Sequence, residues 1–381
     1  MNIASTSASP SPAARGDDGV HRVSSYASTV ALLRDPRLRP ATIGVIDELT
    51  PQWRRSPSLR MLAEMVLLDL PPRHGAVRAL LHEQFAPPAV EGLRRRIDAL
   101  TGLTLDRAAA GDRPIDFAAN VARALPLAVI GELLGIDEAD RPRIARRARA
   151  VMDAMWHSVA DVRRADASAI FLDRYFHEHL RRTRAEGTAT GLGKALSETG
   201  GLDDHAVVAN LVFLVMAATF TTGDFLGSAL VRSCRDPELR RLLHEADAVE
   251  DAVEEALRLD PPVSRVLRNA SVDIDLSGTT IPAGALIEFD LRAANRDPLQ
   301  FDDPDAFRAD RGAGRALSFG YGAHYCAGWA LGRAEALSVL PAFWRRFPNA
   351  RLAGEPRRES HPFLNGFERI LIDTGREEGD R

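Results

Sequence analysis

Cysteine is nearly absent from this chain: the 381 residues hold two, Cys234 and Cys326, 92 positions apart. Two distant thiols exclude a disulfide framework and a cysteine-rich zinc site, and they suit a reducing cytosol. Lysine is scarcer still. Of 49 basic residues only Lys194 is lysine, an imbalance that fits a GC-rich genome and points to no function. Nor is there an excess of charge. A formal net charge of −4 argues against a nucleic-acid binder whose affinity rests on a basic face. Long apolar runs are missing too: Ala206 to Phe220 is interrupted by Asn210 and falls short of the roughly 18 residues that a membrane span needs. Residues 1–19 have no apolar core and are rich in Ser, Ala and Pro, so they read as a disordered tail and not as a secretion signal. The expectation is a soluble cytoplasmic protein, a monomer, with no nucleic acid and no membrane among its partners.

What is present is helix. The chain is 45% apolar, and apolar residues recur with helical period over 74–84, 88–110, 115–135, 139–158, 160–186, 203–234, 237–245, 247–259 and 327–346. The 203–234 segment is apolar through its middle, which predicts a helix running through the core. Extended segments are few and late, at 266–275, 279–281, 285–290 and 368–373. The reading is a mainly α fold with a small β region. Residues 20–375 show no internal repeat or composition break, and 376–381 form a short C-terminal tail.

The stretch that carries chemistry is Phe319-Gly-Tyr-Gly-Ala-His-Tyr-Cys-Ala-Gly328, followed by an amphipathic helix. Glycines at 320, 322 and 328 allow a tight backbone path beside a flat, bulky group. Cys326 lies just before a helix start, where the dipole and free N–H groups favour a thiolate. A thiolate so placed can be the axial ligand of heme iron. The bland reading is a glycine-rich turn around a small buried cysteine. Against it, the pattern Phe-x-x-Gly-x-x-x-Cys-x-Gly would arise by chance in about 4 of 10,000 sequences of this composition.

On these residues the chain resembles the soluble bacterial members of the cytochrome P450 superfamily, over about residues 20–375 as one heme-centred domain. Other elements occur in the family's order. Glu255-Ala-Leu-Arg258 looks like its Glu-x-x-Arg element, with both charges on one helix face. Pro304-Asp-Ala-Phe-Arg-Ala-Asp-Arg311 nominates Arg311 as the third member of that structural set, and Ala293-Ala-Asn-Arg-Asp-Pro298 also matches. The resemblance implies heme b (iron protoporphyrin IX) as cofactor, with Cys326 on the metal and Phe319, Gly320 and Gly328 against the porphyrin. It assigns the two propionates to His74, Arg78, Arg268 and His324. It further implies O2, a small-molecule substrate and a separate ferredoxin or flavoprotein electron donor, for which Arg315 and Arg333 are candidate contacts.

The chain departs from the family at the central helix, where the usual text is Ala-Gly-x-acid-Thr-Thr. Here it reads Ala217-Ala218-Thr219-Phe220-Thr221-Thr222. Thr221 holds the alcohol position and Ala217 lies one turn before it, so both are expected to face the heme. Phe220 stands at the acid position and cannot relay a proton. One explanation is that Thr221, water or a substrate group supplies the relay and the enzyme still hydroxylates. The other is a non-hydroxylating reaction: oxidative coupling or cyclisation, peroxide use, or nitrogen-oxide chemistry. A non-catalytic heme carrier or gas sensor is a third, weaker reading. By analogy the substrate pocket takes the 40–68 segment, Phe213, Met216 and Ala217, Val263, Val266 and Leu267, and Leu364 in the loop Phe363-Leu364-Asn365. These side chains suit a small or medium, mainly apolar ligand. By family inference the product belongs to a specialised-metabolite biosynthesis.

Overall fold

The computed structural model describes residues 14–41, 53–68, 73–154, 159–187, 191–276, 279–312 and 315–375. Most of the expected helices are present with short boundary shifts: Arg73–Gln84, Pro87–Ala110, Arg141–Asp153, Val159–Ala185, Pro237–Leu242, Val249–Leu259 and Trp329–Arg346. The central helix runs from Asp204 to Arg235. Its start is set by Asp203, whose carboxylate accepts the Ala206 N–H at 2.8 Å. Its end is set by Asp236, which turns extended and caps the next helix by accepting the N–H groups of Glu238 and Leu239. By length and mean hydropathy this helix could cross a membrane, but 72% of its most apolar window is buried in the protein. Its apolarity serves the core.

Three expectations need correction. The 115–135 helix begins only at Ala124: Ile115–Asp116 is a strand paired with Leu371–Ile372, and a π-helical turn, Ala118–Ala122, intervenes. The 266–275 strand breaks after Ala270, with Ile274–Leu276 joining a separate hairpin with Thr279–Ile281. The 368–373 segment splits between two sheets, Phe367–Arg369 with Arg357–Arg358 and Leu371–Asp373 with its neighbours at 115–116 and 351–352. In each case pairing across the chain overrides a pattern that is locally ambiguous. Short elements in the first 70 residues escape periodicity altogether. Ala14–Arg15, within the stretch read as a tail, pairs with His21–Arg22.

The largest sheet has five strands and places one site residue. Arg265–Ala270 runs antiparallel between Leu286–Asp290 and Leu38–Pro40, with Arg268 opposite Ile287 on one side and Pro40 on the other. Leu286–Asp290 in turn pairs in parallel with His21–Val23. Apolar residues divide into a large helical core around the central helix and a smaller β core built on Val23, Ile281, Ile287 and Phe289.

Candidate functional site

The loop before the Trp329–Arg346 helix holds Cys326 by its backbone: its N–H donates to the Phe319 carbonyl at 2.9 Å. The glycines around it have unequal reasons. Gly320 and Gly322 both adopt φ +73°, where a side chain is strained. At Gly322 a Cβ would also lie 2.2 Å from the Leu33 carbonyl oxygen. That glycine therefore serves a close approach of two protein backbones, not of a flat cofactor. Gly328 caps the helix at φ −91°, and a Cβ there would meet nothing within 4 Å.

The expected thiolate is not produced by the helix start alone. Burial pushes the Cys326 thiol up, and the Gly328 N–H and the nearby Arg78 charge only partly oppose it. A coordinating metal ion is what deprotonates such a thiol. Cys234, half-buried at the end of the central helix, is pushed up to about 11 by burial. A thiol kept protonated in this way is a poor nucleophile.

Beside the thiol the fold collects four basic groups. His74 and His324 lie ring against ring, centroids 4.6 Å apart and tilted 47°. Arg78 donates to the Tyr325 carbonyl and contacts His82 at 3.0 Å. Arg268 donates to the Leu267 carbonyl at 2.8 Å. Among the described residues neither Arg78 nor Arg268 pairs with a carboxylate. Burial therefore drags Arg268 down to about 10, with nothing raising it. The same burial, with Arg268, His74 and Arg78 adding repulsion, lowers His324 to about 3, so at neutral pH it is an uncharged donor and acceptor. Buried cations without a counter-charge are costly, and a ligand bearing two carboxylates removes that cost. The donor set thus fits a heme whose two propionates enter the cradle.

The central helix is broken at its middle. Ala217–Thr221 is a π-helical turn, and the Thr221 hydroxyl donates to the Ala217 carbonyl at 2.7 Å. The widened turn frees that carbonyl from its regular amide partner, and the hydroxyl takes its place. With its proton committed inward, Thr221 Oγ1 offers lone pairs outward. Gly223 lets this turn pack on the other π-helical one, since a Cβ there would sit 3.0 Å from the Ala122 carbonyl.

Phe220 is buried, with the Arg149 guanidinium over its ring at 5.3 Å. Arg149 is also held by Asp153 at 2.8 Å and Glu359 at 2.7 Å, and Glu359 takes Arg123 on its other oxygen. Sequence reasoning missed what lies next to this cluster. Asp224 is 2% exposed, its Oδ2 has no hydrogen-bond partner among the described residues, and Gly366 presses so close that a Cβ would be 2.1 Å from Oδ1. Burial first, and the Glu359 charge second, raise Asp224 to about 8 against the pull of Arg123 and Arg149. The signal in the sequence was an acid four residues after Phe220 inside an apolar helix.

Glu255 and Arg258, paired by their helix spacing, lie together with Arg311, which the family resemblance nominated. Arg258 meets Glu255 through two bonds of 2.7 Å, Arg311 reaches Glu255 at 3.1 Å, and Arg258 also donates to the carbonyls of Asn295, Pro304 and Ala306. The pocket candidates do not behave alike. Met216 is buried in the helical core and Val266 packs on the β core, while Phe213 and Leu364 are half-buried. Val263 pairs with Leu364 in an isolated bridge, and Leu267 is half-buried. Within the expected 40–68 pocket segment, residues 42–52 lie outside the described residues. Of the two candidate docking arginines, Arg315 is exposed, whereas Arg333 is tied to Glu254 at 2.5 Å and Glu250 at 3.5 Å. Paired in this way, Arg333 has little charge to offer a partner.

Known proteins supply the family and the fold. The family model of cytochrome P450 matches residues 147–366. A putative cytochrome P450 123 of Mycobacterium bovis is 35% identical over 79% of this chain and 75% of its own. Cytochrome P450 107B1 of Saccharopolyspora erythraea is 29% identical over 93% and 89%. Among solved structures, P450BioI in complex with a hexadec-9Z-enoic acid-ligated acyl carrier protein superposes with a TM-score of 0.88 at 26% identity, covering 95% of this chain and 94% of that one. CalO2 does so with a TM-score of 0.86 at 27% identity, covering 95% and 92%. The fold, the cofactor, and the need for O2, a small organic substrate and a redox partner follow from that kinship. With a thiol loop, a cradle of uncompensated cations and an interrupted central helix in the family's order, the chain belongs to the cytochrome P450 superfamily as a heme-dependent bacterial oxidoreductase.

Proposed function

We propose that this protein is a cytoplasmic monooxygenase acting on a small-to-medium, mainly apolar substrate in a specialised-metabolite pathway, with a ferredoxin or flavoprotein as electron donor. The observation that carries the hydroxylating reading is Asp224. Heme, when bound through Cys326, supplies O2 activation, and the chain must supply protons beside it. Phe220 cannot. On a helix at 100° per residue, Asp224 lies about 40° from Phe220 and about 60° from Thr221, between the two directions. A carboxyl raised to about 8 keeps a proton at neutral pH and sits next to charged groups that reach the surface. In this reading Asp224 holds the proton at its carboxyl and passes it toward Thr221 Oγ1 through water, while Phe220 seals the side where the usual acid would stand.

His74, Arg78, Arg268 and His324 hold the propionates, Phe319, Gly320 and Gly328 border the porphyrin, and Ala217 leaves room beside Thr221. The range of the substrate class finds support in structural relatives bound to myristic acid and to tirandamycin C. The exposed Arg315 is the better of the two donor contacts.

The test is Asp224→Asn, which keeps shape and burial. Product formed per electron consumed should fall several-fold, with the lost electrons appearing as peroxide, and the infrared band of a buried protonated carboxyl should vanish. Unchanged coupling would overturn the Asp224 relay and leave a reaction of lower proton demand as the better account. The metal assignment is read separately: Cys326→Ala should abolish the red-shifted absorption of the reduced carbon monoxide complex, and Cys234→Ala should leave it untouched.

A further inference from the structure

On the outer side of the Val159–Ala185 helix, three side chains converge that the P450 chemistry does not use. Asp173 and His177 stand four residues apart on that helix, and His205 is the second residue of the central helix. His177 Nε2 lies 3.3 Å from His205 Nδ1 and 3.4 Å from Asp173 Oδ1, and His205 Nδ1 lies 3.5 Å from the same oxygen. We propose that Asp173, His177 and His205 form a zinc-binding site that clamps the Val159–Ala185 helix to the start of the central helix.

The triangle's dimensions carry the argument. Zinc binds imidazole nitrogen at about 2.0–2.1 Å and carboxylate oxygen at about 2.0–2.2 Å, and a tetrahedron has edges about 1.63 times its bond length, hence about 3.3–3.6 Å. All three observed separations fall in that range. An octahedral face at similar bond lengths would have edges of about 3.0 Å, so the triangle selects a tetrahedral ion over the facial-triad geometry of non-heme iron. Hydrogen bonding satisfies the cluster less well. Each ring nitrogen carries at most one proton and the ionised carboxylate only accepts, so the three mutual contacts cannot all be hydrogen bonds, whereas one cation meets all three atoms. The two imidazole planes stand at 89°, centroids 4.9 Å apart, an arrangement that lets both lone pairs point to one centre.

The scaffold is held in place independently of the ligands. Arg184, from the same long helix, grips Asp204 through bonds of 2.8 and 3.0 Å, next to His205. Asp203 caps the same turn. Two of the three ligands are thus preorganised on a helix face, and the third is on a turn fixed by its neighbours. The His205 side chain is 73% exposed, so an ion can enter from solvent and keep water as its fourth ligand.

Zinc chloride titrated calorimetrically into untagged, chelator-stripped holoenzyme should show one equivalent bound and raise the melting temperature. His205→Ala should lose more than about tenfold in affinity and all of the zinc-dependent stabilisation, yet melt like the wild type without zinc, because the side chain is exposed. Asp173→Asn should weaken binding in the same direction, and magnesium should bind neither protein. Identical zinc titrations for the wild type and His205→Ala would overturn the site, as would a zinc-induced melting shift that survives that substitution. The heme spectrum is expected to stay constant throughout, which separates this ion from the catalytic metal.

Discussion

Two groups of arginine, one buried at Glu255–Arg258–Arg311 and one half-buried at Arg78–Arg268, are treated in opposite ways by the same fold. In the first, Arg258 and Arg311 share one carboxylate, and the remaining donors find backbone carbonyls. Both cations are answered within the chain, by that one carboxylate and by carbonyl oxygens. In the second, Arg268 is half-buried with a single carbonyl for company and two histidines nearby, and among the described residues no acid answers it. Its balance must be closed from outside. The contrast separates cations that hold the fold from cations that wait for a ligand, a distinction that residue type and burial alone do not make.

The largest effect should come from opening the closed set. Glu255→Gln leaves two buried guanidinium groups uncompensated and should cost about 3–5 kcal/mol, read by urea unfolding with and without heme. A loss below about 1 kcal/mol would show that the set is not an interdependent unit. The converse experiment is Arg268→Met. Here the heme-free protein should keep or gain stability, because an unpaired buried charge has gone, while transfer of heme to an acceptor protein should speed up about 10- to 100-fold, equivalent to about 1.4–2.8 kcal/mol. Slower heme loss would place the propionates elsewhere.

Asp224 offers a third case, a buried acid that avoids the question of balance by staying neutral. Its carboxyl is raised from 3.8 to about 8 in the folded chain. Between those values the unfolded chain has released the proton and the folded chain still holds it, so stability falls as pH rises across that window and levels off above it. The slope is at most about 1.4 kcal/mol per pH unit. Melting curves of Asp224→Asn should lack this component, and the difference between the two proteins should grow from pH 4 to pH 8. A parallel pair of curves would mean that the acid is ionised in the fold. The smallest effect belongs to Cys234→Ala, which should leave both heme content and the melting temperature nearly unchanged.

Much of the site was legible before any coordinates, for a physical reason. The thiol loop, the Glu-x-x-Arg pair and the His74–Arg78 pair are short-range patterns whose geometry follows from helix spacing or from turn chemistry. The long helices were equally legible, because period and caps are local. Elements of two or three residues were not: Ile115–Asp116 and Leu371–Asp373 are strands only because each finds the other. The same limit hid Asp224. Its meaning depends on Glu359 and Gly366, more than 130 residues later, folding back over it. It also misassigned Gly322, which looks like a cofactor glycine and answers instead to Leu33. The pairing of Arg333 with Glu254 was invisible for the same reason.

The amino-acid order by itself determined the helical architecture, the cysteine loop and the family, since all three rest on spacings within a few turns. Tertiary structure alone decided which charges are answered and which are left for a ligand. It also decided that burial pushes the Cys326 thiol up, and that an acid one turn beyond Phe220 keeps a proton. Desolvation and charge balance are properties of everything packed around a group, and no local stretch of sequence contains them.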